Sequence, residues 1–112
     1  MKNFMVRLSI SPRLREECLK IGSEDIMTII TNLPEELAEL QGAHMDYLRK
    51  LYPEGKVLFG GPFADFTGGF VIYVADSKEE AIKLAQGDPA VKGGLLTIDM
   101  DMVKPWIQFP LE

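Results

Sequence analysis

Apolar and polar residues alternate at the start of the chain, with Phe4, Val6, Leu8 and Ile10 set against Met5, Arg7 and Ser9. A period of two predicts a half-buried strand over residues 4–10, ended by Ser11-Pro12. The period then changes. Leu14, Cys18 and Ile21 recur at helical spacing, and Ser23-Glu24-Asp25 has the composition of a cap opening a second short turn through Ile26, Met27 and Ile30. Residues 12–32 thus read as an interrupted helical insertion.

A longer helix follows. Asn32 is placed to cap it, Pro34 falls in its first turn, and Glu35 and Glu36 lie where the helix dipole favours negative charge. Its apolar stripe is Leu37, Leu40, Tyr47, Leu48 and Leu51, and His44, the single histidine of the chain, falls on that stripe. Residues 56–59 predict a short strand, Gly60-Gly61-Pro62 a tight turn, and residues 68–75 a strand apolar on both sides. Ser77 and Glu80 have capping-box spacing ahead of a helix through Ala81, Ile82, Leu84 and Ala85. Gly87-Asp88-Pro89 stops it. The last strand, 94–103, sets Leu96, Ile98, Met100 and Met102 against Thr97, Asp99 and Asp101, and Lys104-Pro105-Trp106 closes the domain.

The order is β-α-β-β-α-β with an extra helical segment after the first strand. Right-handed crossovers place both main helices on one face of a four-stranded antiparallel sheet, an α+β, ferredoxin-like arrangement. The other face is left bare. A strand apolar on both sides calls for a cover on both, so a homodimer through the sheet face is expected.

At 112 residues one domain is expected over 1–112. The net charge is −5 and the basic residues are scattered, so neither nucleic acid nor an anionic membrane is an expected partner. No apolar run reaches membrane-spanning length and the first strand carries Arg7, which implies a cytoplasmic location. One cysteine and one histidine offer no metal-ligand spacing, so neither a metal nor another cofactor is expected.

His44 carries the candidate chemistry. It is either a core histidine satisfied by a carbonyl or water, or a partly desolvated general acid or base held by a carboxylate and facing a pocket. Asp88 is the candidate partner if the end of the second main helix lies beside the middle of the first; otherwise it is a helix stop. Asp65 is its rival. Gly60, Gly61, Pro62 and Phe63 would line a small pocket below His44, with Trp106 at its mouth or in an interface. Cys18 reads as a small buried hydrophobe, and the serines read as caps.

The segments "AHMDYLRKLYPEGKVLFGGPF", "GGFVIYVADSKEEAIKLAQGDP" and "VKPW" together resemble the YCII-related family, within the dimeric α+β barrel superfamily, over about residues 35–106. The resemblance implies a ferredoxin-like subunit, a sheet-to-sheet dimer and a site on His44 and Asp88. It also implies small-molecule chemistry, with dehydrochlorinases, muconolactone isomerases, monooxygenases and haem-binding proteins among the relatives. Segment 12–32 departs from the family pattern and would roof the pocket or extend the interface. The expected function is cofactor-independent proton transfer by His44, of isomerase or lyase type, on a small cyclic or aromatic molecule. The alternative is a non-catalytic small-molecule-binding or interaction dimer. Haem bound through His44 is a third reading, testable by adding haemin to the colourless protein.

Overall fold

The computed structural model describes residues 1–109. Strands β1 (Lys2–Ile10), β2 (Val57–Pro62), β3 (Gly68–Ala75) and β4 (Leu96–Trp106) form one antiparallel sheet in the order β2-β3-β1-β4. The helices are α1 (Pro12–Ile21), α2 (Ile26–Thr31), α3 (Glu35–Leu51), α4 (Lys78–Gln86) and α5 (Pro89–Lys92). This is the ferredoxin-like arrangement expected from the order of patterns.

Alternation along β1 sends Phe4, Val6 and Leu8 to the helix-covered side. Their cross-strand partners share that side: Phe4 faces Tyr73, and Val6 faces Val71 and Val103. Leu37 and Leu51 of α3 and Ala81 and Ala85 of α4 complete the core. Two alanines on α4 let that helix sit close to the strands.

Local chemistry explains most element ends. Ser11 accepts from the Leu14 amide at 3.1 Å and Pro12 occupies the first turn of α1, which ends at Gly22 in the left-handed region with φ 69°. Asp25 caps α2 through the Thr28 amide, and Ser77 caps α4 through the Glu80 amide. The insertion is two helices rather than one.

Four expectations are corrected. Pro34, not Asn32, precedes α3, and no side chain caps that helix; Asn32 instead ends α2, its Nδ2 donating to the Thr28 carbonyl. Gly60-Gly61-Pro62 is not a turn but the end of β2, an edge strand that tolerates the missing proline N–H. The chain reverses at 63–67, where Asp65 binds the Thr67 amide and hydroxyl and Phe66 takes φ 58°. Lys104-Pro105-Trp106 belongs to β4.

The fourth concerns the faces of β4. Between Val6 and Leu8 its register jumps from Val103 to Ile98, so five residues of β4 span two of β1. An irregularity of odd excess reverses the alternation. Leu96 and Ile98 therefore face the helices, whereas Met102 and Trp106 join Met5 and Arg7 on the bare side.

Candidate functional site

Helix α3 carries Glu35 and Glu36 in its first turn and Arg49 and Lys50 in its last, complementing its dipole at both ends. Two glycines lie where it meets the α4–α5 junction. A Cβ at Gly87 would lie 2.5 Å from the Tyr47 hydroxyl, and one at Gly93 2.5 Å from the Leu40 side chain. With both absent, Tyr47 reaches across and its hydroxyl donates to the Leu84 carbonyl at 2.7 Å. Burial, with the charges of Asp88 and Glu54, pushes the Tyr47 pKa up, so this tie is a neutral hydroxyl.

The same approach brings His44 onto Asp88. His44 Nδ1 lies 2.5 Å from Asp88 Oδ2, with the carboxylate side chain fully buried and the imidazole 12% exposed. The second carboxylate oxygen accepts from the Ala90 amide at 2.9 Å and caps α5, a one-turn helix behind Pro89. Asp88 is thus a cap and a histidine partner together. A carboxylate at Nδ1 assigns the ring proton to that nitrogen and leaves the Nε2 lone pair free.

The imidazole forms part of the wall of a cavity of about 350 Å³ between α3, α2 and the sheet. Gly60 and Gly69 sit on its helix-facing floor, opposite Val71 and Leu8 respectively, and bear no side chains to fill it. A Cβ at Gly69 would come 2.3 Å from the Gly61 carbonyl oxygen. Ile26, Met27 and Ile30 of α2 form one wall, so part of the 12–32 insertion roofs the space. Met45, Leu48 and Gln41 extend the α3 wall.

Of the residues selected from sequence, the structure brings together His44, Asp88, Gly60, Gly61 and Pro62. It does not bring Phe63, Trp106 or Asp65 to them. Phe63 and Trp106 line a hollow on the bare sheet face with Met5, Arg7, Phe70 and Met102. There Phe70 lies 6.2 Å from Phe63 and 6.1 Å from Trp106 between ring centroids, Phe59 lies 5.8 Å from Phe70, and the Arg7 guanidinium stands 5.5 Å above Phe63. Asp65 lines a third hollow with Arg15 and Cys18; its bonds from Thr67 hold its carboxyl below the usual range. Burial and then Glu17 push the Cys18 thiol up, away from the reactive thiolate. No group of residues suited to holding a metal occurs among the described residues.

Gln41 and Gly69 were not singled out from sequence. Gln41 carries a readable signal, three residues before His44 on the same helical face. Gly69 does not, because its place in the floor depends on which residue of β1 lies opposite it.

Comparison with known proteins follows the same outline. A family model described as the YCII-related domain matches residues 18–106. The uncharacterized protein YjpA of Bacillus subtilis (strain 168) is 41% identical over 51 residues, 46% of this chain and 60% of that protein. The match therefore spans less than two thirds of that relative. Among solved structures, the chain resembles 5-chloro-2-hydroxyhydroquinone dehydrochlorinase (TftG) from Burkholderia phenoliruptrix AC1100, in complex with 2,5-dihydroxybenzoquinone. The TM-score is 0.61 over 96% of this chain and 95% of that one, at 22% identity, a likeness of fold.

Proposed function

This chain belongs to the YCII-related family, and on that premise we propose that it catalyses cofactor-independent proton transfer on a small cyclic or aromatic molecule, with His44 as the acid-base group. One observation carries the proposal: an imidazole held at Nδ1 by a fully buried carboxylate, 2.5 Å away, while its ring borders an apolar cavity. Packing alone requires no such pair.

Nε2 takes a proton from a carbon beside a carbonyl or from a ring hydroxyl, and the Asp88 carboxylate stabilises the imidazolium that forms. Return of the proton to a different atom completes an isomerisation. If the freed electron pair instead forms a double bond and expels halide with the carbon–halogen pair, His44 hands its proton to water and HX is lost. Asp88 acts through the ring as a positioning residue.

The reading includes a homodimer through the bare sheet face, where Phe59, at 40% exposure, lies against the Phe70 and Trp106 rings. Such a patch favours a covering partner. Among the described residues no helix is long and apolar enough to cross a membrane.

The first probe is 5-chloro-2-hydroxyhydroquinone, the compound named for the dehydrochlorinase of like fold. Chloride release by the wild-type protein is expected, and His44→Ala should reduce it roughly a hundred- to ten-thousand-fold with the fold retained. Full turnover by the variant removes His44 from the mechanism. Binding of the ring with no chloride release and no rearrangement favours the non-catalytic binding dimer, in which Asp88 serves to cap α5.

A further inference from the structure

Resting on that reading of the site, we infer that the ligand is an uncharged ring bearing a hydroxyl or carbonyl, and that Gln41 is the residue that selects it over ring carboxylates. The cavity wall contains two polar side chains, His44 and Gln41, and no lysine or arginine. Behind His44 stands the buried carboxylate of Asp88. A ligand carboxylate would lose its hydration beside a like charge with no cation to offset it.

The arginines near these elements are placed elsewhere. Arg7 stands over Phe63 on the opposite face of the sheet and lies 3.9 Å from Asp99. Arg13 pairs with Glu36, Arg49 with Asp46, and Arg15 lines the hollow beside Asp65. None of these borders the His44 cavity.

Gln41 is half-buried on the cavity wall, and its carboxamide has no hydrogen-bond partner among the described residues. A carboxamide offers two donors and an acceptor, so it can serve either a phenol or a carbonyl. Set one turn before His44, its Cβ lies about 5–6 Å from that of the histidine. That spacing suits contacts with two substituents of one six-membered ring. An apolar cavity of roughly 150 Å³ already admits benzene, and this one, at about 350 Å³, leaves room for substituents. The floor at Gly60 and Gly69, without side chains, accepts a flat face.

The test is a titration of the full chain with hydroquinone and with benzoate, read on the Gln41 side-chain amide and His44 ring signals by NMR. Hydroquinone is expected to move both sets and to bind at least tenfold more tightly than benzoate. Gln41→Leu should weaken hydroquinone roughly three- to tenfold, the loss of one hydrogen bond. Gln41→Arg should tighten benzoate at least tenfold and leave hydroquinone no tighter, which tests the assignment by a gain that misfolding cannot mimic. Equal binding of the two rings, binding of neither, or hydroquinone affinity unchanged in a folded Gln41→Leu overturns the inference. Selective ring binding through Gln41 without turnover removes the catalytic proposal and leaves this one standing. Chloride release with unchanged KM in Gln41→Leu does the reverse.

Discussion

The two faces of the sheet are built from the same four strands and do opposite things. On the helix-covered face, glycines at 60 and 69 create space, and the cavity is apolar apart from two side chains of α3. On the bare face, Phe59, Phe63, Phe70 and Trp106 pack ring against ring. On the proposed reading, the first face receives a small molecule and the second meets another copy of the chain. The run Gly60-Gly61-Pro62-Phe63 contributes to both, since Gly60, Gly61 and Pro62 border the cavity while Phe63 joins the aromatic hollow.

The comparison is broken most directly by paired substitutions. His44→Ala should remove roughly a hundred- to ten-thousand-fold of turnover, whereas a bare-face change that preserves assembly should leave it nearly intact; the reverse result would place the chemistry on the wrong side. Next in size is assembly. Phe70→Lys puts a charge at the centre of the aromatic cluster, and light scattering should show a wild-type dimer become a monomer. A monomeric wild type would end the dimer proposal.

Gly69→Val tests the floor. Its Cβ would press on backbone at Gly61 and Pro62, atoms that cannot rotate away, so a loss of about 1–3 kcal/mol is expected in denaturant melts. The smallest effect lies under the helices. Tyr73 is fully buried, its hydroxyl has no partner among the described residues, and burial followed by the charges of Asp88 and Tyr47 raises its pKa. An unfolded tyrosine ionises near about pH 10. Above that pH the unfolded chain releases a proton that the folded chain keeps, so stability falls as pH rises. Tyr73→Phe should melt no lower than wild type at pH 7 and show a shallower decline between roughly pH 10 and 12.

Much of this architecture was legible in the chain because it is local. Period two marked β1, a run apolar on both sides marked β3, and steps of three and four put His44 on the inner stripe of α3. The Asp88 contact was legible only as a choice against Asp65, because it needs the α4–α5 junction beside α3, a tertiary approach that spacing along the chain does not encode. Met102 illustrates a different failure. Alternation counted through β4 carries no record of the extra residues opposite β1, so every residue after them changes sides. Gly-Gly-Pro looked like a turn because those residues interrupt strands elsewhere, yet an edge strand with an outward proline keeps its pairing to β3.

Asp88 spends one oxygen on the backbone of α5 and the other on His44. Selection for a folded α5 would therefore retain the carboxylate even in a descendant that had abandoned its reaction, and a retained carboxylate would go on holding the imidazole. Persistence of this pair through a lineage would then record descent and foldability as readily as activity. Loss of Gln41 beside an intact pair would be the more informative sign, since nothing in the fold asks for that side chain.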